Sequence, residues 1–334
     1  MAMKFLKPDS RIGGCRMYEG HTIGVVVPAY NEEGFVGDVL DSLPDFVDRV
    51  YAVDDASTDG TWDEICDYAA VERAARTRVS DDTDDQIVAI RHDQNRGAGG
   101  AIKTGYFAAR ADGIDVTVTI DADGQMDPAM MTRLLDPIVT DEADYTKGNR
   151  LSNSEFRSSM PKFRLLGNWL LTGLTRIASG YWDVTDPQNG YTAISLPALE
   201  AIDLEGMYEY YGYCNDLLVK LNVAGMRVTD VDMPAVYGEE ESSIEYGDYI
   251  PKVSLMLLGN FFWRLGSRYR THPLSIAYAV GILAALAGFI HGFRAISSIL
   301  TGSESDDAQK SLTSFTLGVG GIITGLVLDR RENR

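Results

Sequence analysis

After the apolar run Val116–Ile120 the chain turns into Asp121-Ala122-Asp123-Gly124-Gln125. Two carboxylates spaced i, i+2 on a turn leaving a strand, followed by an amide, are hard oxygen donors suited to a divalent cation, and such a cation neutralises a diphosphate. Alone this signal is weak, because short acidic turns in an acidic chain are commonly solvated surface. Two further polar turns give it company: Pro28-Ala29-Tyr30-Asn31-Glu32-Glu33 follows Ile23–Val27, and Asp54-Asp55-Ala56-Ser57-Thr58-Asp59-Gly60-Thr61 follows Val50–Val53. Three polar strand ends meeting at one sheet edge form the crevice in which α/β folds bind nucleotides.

The elements needed to position these turns are legible from His21 to about Val236. Ile23–Val27, Val50–Val53, Ile87–Ile90 and Val116–Ile120 are β-branched runs, each followed by a turn signal and a helix-like stretch. That alternation implies an α/β domain with a mostly parallel sheet covered on both faces. The second helix is expected to start after Asp59-Gly60, with Asp59 as N-cap, and to end near Arg78, before a solvated loop at Ser80–Asp85. The 334 residues carry 30 Lys and Arg against 49 Asp and Glu, a formal charge of -19. That balance opposes nucleic-acid binding and suits solubility in strong salt, as in the cytoplasm of halophilic archaea. Cys15, Cys66 and Cys214 lack metal or disulfide spacing and read as reduced thiols. No apolar core of secretory-signal length occurs in the first twenty residues, so the catalytic domain is expected in the cytoplasm.

Beyond Pro273 the composition changes. Leu274–Phe293 contains no Asp, Glu, Lys or Arg and is long enough to cross a hydrocarbon core of ~30 Å. Leu312–Leu328 is shorter, uncharged and Gly-rich; a buried hairpin of a soluble domain is the alternative for the pair. Arg264, Arg268 and Arg270 precede the first segment, Arg330, Arg331 and Arg334 follow the second, and the connection is acidic. The positive-inside rule then places the catalytic domain and both termini on the cytoplasmic side of a cell membrane, with Arg294 an exception. Val253–Leu265, with Leu255, Met256, Leu258, Phe261, Phe262 and Trp263, reads as an interfacial helix in the headgroup plane.

Taken in order, Pro-Ala-Tyr-Asn-Glu-Glu, Asp-Asp-x-Ser-x-Asp-Gly-Thr, Asn95-Arg96-Gly97 and Asp-Ala-Asp-Gly-Gln resemble the family 2 glycosyltransferases of GT-A fold, and among them the dolichyl-phosphate mannose and glucose synthases, over roughly Thr22 to Ile244. The resemblance implies a Rossmann-like GT-A domain at 22–244, after an extension at 1–21 and before a juxtamembrane segment at 245–272 and two transmembrane helices at 273–334. It implies that Pro28, Tyr30 and Glu32 border a nucleotide, that Val53 and Asp55 meet base and ribose with Asp54 as the alternative carboxylate, and that Asp121, Asp123 and Gln125, around Ala122, hold Mg²⁺ or Mn²⁺. Asn95 and Gly97 open a helix whose N-terminus can face phosphate, although Gly97–Gly100 also reads as a plain loop. Likewise Tyr30 can simply pack and Asp54 can cap a turn.

Gly148-Asn149-Arg150 stands where relatives carry a segment meeting acceptor phosphate, with Lys162 and Arg164 as further phosphate contacts or, equally, solvated helix residues. Asp186–Tyr191 matches a loop of the family, and Asn215-Asp216 falls where many members carry Glu-Asp. Tyr237–Ile244 lacks two basic residues that close relatives direct at the donor phosphates. The implied reaction is inverting transfer of a hexose from a UDP- or GDP-sugar to dolichyl or another polyprenyl phosphate at the bilayer, for N-glycosylation or a surface glycan. A phosphate acceptor is already anionic near pH 7 and needs no strong base; a sugar-hydroxyl acceptor would need one, for which Asp216 is the candidate. A nucleotidyltransferase is disfavoured because Pro28–Glu33 stands where a Lys-bearing phosphate loop belongs, and a non-catalytic scaffold because the metal triad is intact.

Overall fold

The computed structural model describes residues 11–12, 15–77, 86–151, 162–234, 246–301 and 306–333. Seven strands, β1 (Ile23–Ala29), β2 (Arg49–Asp54), β3 (Ile87–Arg91), β4 (Val116–Thr119), β5 (Tyr145–Asn149), β6 (Thr192–Ser195) and β7 (Val228–Asp232), form one sheet in the order β3-β2-β1-β4-β6-β5-β7. The four strands expected from β-branched runs are all present and mutually parallel. The second half departs from the simple alternation, since β6 runs antiparallel to both β4 and β5 while β7 is parallel to β5.

The helices of this domain are α1 (Val36–Ser42), α2 (Thr61–Thr77), α3 (Ala98–Ala111), α4 (Met131–Val139), α5 (Lys162–Ser179), α6 (Leu196–Ala201) and α7 (Tyr213–Ala224). Successive residues of β1 point to opposite faces: Val25 and Val27 pack with Ile65, Leu134 and Ile138, whereas Val26 packs with Ile102, Tyr106 and Leu217. Each such fully buried aliphatic side chain contributes about 1.5–3 kcal/mol of transfer free energy. Two apolar layers thus clamp the sheet, leaving its C-terminal edge for polar loops.

Three long helices complete the chain: α8 (Tyr246–Arg268), α9 (Pro273–Thr301) and α10 (Asp307–Glu332). Both α9 and α10 are long and apolar enough to cross a membrane, so the second segment exceeds the 17 residues expected of it by a turn or more at each end. Only 22% and 11% of their apolar windows are buried, the reverse of a soluble core hairpin. The two helices touch through glycine, and a methyl group added at Gly321 would stand 2.6 Å from Gly281 Cα. Large side chains such as Leu283, Phe289, Phe293 and Leu317 therefore face outward.

The expected interfacial helix is two-faced. Val253, Leu257, Phe261 and Leu265, four residues apart, pack against α5, α7 and α9, while Leu255, Leu258, Phe262 and Trp263 are exposed. Arg264 corrects the reading of the basic flank: it is fully buried, and its guanidinium donates to Asp329 Oδ1 and Oδ2 at 2.9 and 2.6 Å and to the Ile177 carbonyl at 3.1 Å. Asn333, on the same turn as Asp329, takes hydrogen bonds from Asn222 of α7 and from Tyr269. The end of the hairpin is thereby tied to the α/β domain.

Candidate active site

The first two polar turns are stitched to one another. Asn31 Oδ1 accepts from the Thr58 N–H at 2.9 Å, Ser57 Oγ from the Asn31 N–H at 2.9 Å, and Thr61 Oγ1 from the Glu32 N–H at 2.8 Å. Asp59 accepts from the N–H and hydroxyl of Thr61 at the start of α2, but the N-cap position expected of it falls to Gly60, whose carbonyl accepts the first helical hydrogen bond, from Glu64; Asp59 braces the helix start from one residue earlier. This leaves Tyr30 projecting at the rim with about half its surface exposed. Pro28 and Val53 are buried, and Asp54 is fully buried, bound to the Ser57 N–H and paired with Arg91 at 3.0 Å. Asp54 is the turn-capping member of the pair. Asp55 instead gathers His92 Nδ1 at 2.7 Å and the Arg96 N–H at 2.8 Å on its Oδ1.

The third turn lines a cavity of about 170 Å³ with Asp121, Asp123, Gln125, Asp127, Arg150 and Asn189 among its walls. Burial, with Asp123 adding to it, pushes the Asp121 carboxyl up to about 7, against the opposing pull of Arg150. Burial also raises Asp123, partly offset by the Gln125 N–H, which donates to its Oδ1 at 2.9 Å. Two carboxylates crowded into one partly dehydrated pocket hold more negative charge than the protein compensates. That excess, with oxygen donors throughout, fits a hard divalent cation.

Arg150, at the end of β5, is brought to this cavity by Asp186, which accepts from its Nε at 2.9 Å and faces its NH2 at 3.4 Å. Burial pushes Asp186 up, but Arg150 and the buried Lys147 outweigh it and hold the carboxyl below its ordinary range. Lys147 also donates to the Asp186 carbonyl. The backbone at Gly190 passes so near that a side chain there would meet Asp121 Oδ2 at 3.3 Å. Asn189 and Tyr191, from the loop that matches the family without a role attached to it, complete this wall with Asp127 and Met233, which sequence reasoning missed; Tyr191 braces it by donating to the Asp127 carbonyl at 3.1 Å.

Other expected residues are not at this cavity. Gly97 N-caps α3 with φ 79°, and its N–H is held by Asn95 Oδ1 at 3.1 Å. The glycine run is neither a loose loop nor an open helix end: the Glu209 carbonyl accepts from the Gly100 N–H at 2.8 Å and lies where a Cβ on Gly97 would approach to 2.8 Å. Asp216 is buried on α7, does not line the acidic cavity, and has both oxygens engaged, by Asn260 Nδ2 at 2.7 Å and by the Tyr208 N–H at 2.9 Å. Burial raises its carboxyl, offset in part by Lys220. Lys162 and Arg164 lie in the first turn of α5, with side chains outside the described set, and Tyr237–Ile244 lies outside the described residues.

Comparison with known proteins agrees with this geometry. Residues 24–203 match the family "Glycosyl transferase family 2". The UDP-N-acetylglucosamine–dolichyl-phosphate N-acetylglucosaminyltransferase of Methanococcus voltae is 31% identical over 218 residues, covering 65% of this chain and 86% of that protein. The undecaprenyl-phosphate mannosyltransferase of Micrococcus luteus is 32% identical over 219 residues, covering 65% and 83%. Among solved structures, glucosyl-3-phosphoglycerate synthase from Mycobacterium tuberculosis, in complex with Mn²⁺, UDP and phosphoglyceric acid, shares the fold at a TM-score of 0.52 and 20% identity over 74% of this chain and 79% of that one. A GT-A-type sheet with an acidic strand-end cavity, matched over more than half its length, makes this chain a glycosyltransferase belonging to family 2.

Proposed function

We propose that the protein transfers a sugar from a nucleotide diphosphate donor to the phosphate of a membrane polyprenol, with inversion at the anomeric carbon. The carrying observation is the juxtaposition, in one small cavity, of the Asp121–Asp123 pair with a guanidinium presented by Asp186, on a chain that also carries two membrane-length helices. Both relatives described above are named for a polyprenyl-phosphate acceptor. Asp121, Asp123 and Gln125 would hold a divalent cation, Mg²⁺ or Mn²⁺, whose contribution is neutralisation of the departing diphosphate. Tyr30, Glu32 and Asp55 border the nucleotide at the stitched turns, and Lys162 and Arg164 are assigned to phosphate. Arg150 orients the acceptor phosphate, and its fixed fork matches two phosphate oxygens. Confinement of lipid and enzyme to one interface supplies proximity. An ionised phosphate attacks without a base, in keeping with an Asp216 whose oxygens are both engaged.

The catalytic domain, 22–244, stands on the cytoplasmic face with both ends of the α9–α10 hairpin. Arg270, Arg330 and Arg331 remain exposed there, and they carry the positive-inside argument now that Arg264 is internally neutralised. Purified protein offered a panel of UDP- and GDP-sugars with polyprenyl phosphate should yield one glycosylated lipid by mass spectrometry; turnover only onto a sugar hydroxyl would reject the assignment. In a cysteine-free background, Thr301→Cys should react with an impermeant thiol reagent outside intact cells and Arg331→Cys should not; the opposite pattern would reject the orientation.

A further inference from the structure

The segment Tyr208–Tyr211, which the site description leaves without a role, is held from two sides. On one side it sits on the start of α3: the Glu209 carbonyl caps Gly100, and Glu209 Oε1 takes hydrogen bonds from Arg96 at 2.5 Å and Lys103 at 3.1 Å. The Arg96 N–H in turn donates to Asp55 Oδ1. On the other side the Tyr208 N–H donates to Asp216, whose second oxygen accepts from Asn260 on α8. Gly212, with φ 111°, brings the end of the segment against Val253 of the same helix. An unbroken run of contacts therefore leads from α8, through Asp216, to the carboxylate of Asp55.

We infer that Asp216 is a positioning residue that joins the juxtamembrane helix to the donor side of the site, setting the Tyr208–Tyr211 segment against α3. A group engaged by two donors and absent from the acidic cavity cannot reach an acceptor proton without abandoning both. What Asp216 does supply is a rigid acceptor for a backbone N–H and for an amide of α8, so seating of α8 fixes the segment that Arg96 and Asp55 lean on. The assignment of Asp55 to the donor rests on the function proposed above; the Asp216 link itself does not.

Three variants test it. In Asp216→Asn the amide oxygen still accepts from Tyr208, and Asn260 can turn its own amide to accept from the new NH₂. Turnover and donor KM should stay within about threefold of wild type. Asp216→Leu and Asn260→Leu break the link; the second lies at a half-buried position on α8 and spares the core if the first fails to fold. Both should raise the KM for the sugar nucleotide roughly tenfold, with a smaller change in kcat. Amide hydrogen exchange, which needs no substrate, should quicken at Tyr208 and Gly100 in both leucine variants and not in Asp216→Asn. Unchanged exchange in the leucine variants would overturn the link whatever the enzyme's substrate proves to be. A collapse of kcat in Asp216→Asn with unaltered exchange and donor KM would overturn it in favour of a base. Failure of the wild type with polyprenyl phosphate bears only on the acceptor.

Discussion

Arg150–Asp186 beside the acidic cavity and Arg264–Asp329 beneath the hairpin are the same two side chains in nearly the same two-pronged contact, and they have opposite surroundings. Arg150 keeps 37% of its side chain exposed over an Asp186 that is 5% exposed, whereas Arg264 and Asp329 are both at 0%. A guanidinium anchored by a carboxylate but still partly in contact with solvent can meet an anion from outside; one enclosed on every side can only hold the structure together. A third pair, Arg227 with Asp141 and Asp144, lies on the surface, with Arg227 48% exposed. Burial of the surroundings, more than contact distance, separates the tasks of the three.

The sharpest way to break this comparison is at the sealed pair. Arg264→Met or Asp329→Leu alone strands a buried charge and should cost about 3–5 kcal/mol of stability, whereas the double variant should recover most of it. Thermal unfolding in detergent measures this, and equal losses in single and double variants would contradict it. Next, Asp123→Asn should lower turnover roughly a hundredfold or more while leaving unfolding unchanged, because on the proposed reading it removes a ligand to the cation and no packing; full activity in EDTA would refute the metal assignment.

Arg150→Ala should raise the lipid requirement about tenfold or more and the sugar-nucleotide requirement little, with Arg150→Lys restoring only part, since a lysine lacks the fork. Asp186 sharpens the same point through pH. Its folded pKa lies below that of the unfolded chain, so its contribution to stability is complete above about pH 4 and drains away as pH falls through the folded value. Asp186→Asn should flatten the acid limb of the stability profile. The smallest effect is expected at the surface, where Arg227→Ala should leave unfolding near that of wild type, because exposed pairs are screened and entropically costly.

Which parts were legible in the sequence follows from the same contrast between local and distant partners. β1 to β4 are rich in Val and Ile, and the burial of β1, β2 and β4 is written in their composition, while β3 at the sheet edge is only half-buried. β5, Tyr-Thr-Lys-Gly-Asn, lacks the apolar run that marks the first four strands, and its buried Lys147 finds its hydrogen-bond acceptor at a carbonyl 39 residues away. Asp121, Asp123, Gln125 and Arg150 announce themselves by motif, and Asn189 and Tyr191 lie in the loop that matches the family without a role attached to them, whereas Met233 reaches the same wall from a segment with no local chemical signature. Asp55 was legible as a strand-end carboxylate; its grip on His92 and Arg96 depends on loops meeting in space. Arg264 was misread as a surface charge since its neutralising partner lies 65 residues further on.

That separation imposes an order of assembly on the sealed pair during synthesis. Arg264 and the domain around it are made well before Asp329, which sits on the last helix described. Until that final turn arrives and docks, the guanidinium lacks its counter-charge, and the apolar shelf of α5, α7 and α8 cannot close over it at equilibrium. A chain interrupted before Asp329 would keep a cation where the longer chain keeps a neutral pair. Such a fragment should be loose at the domain's membrane-facing end and cleared by proteolysis; persistence of a fragment ending at Leu328 at wild-type levels in a pulse-chase experiment would count against this.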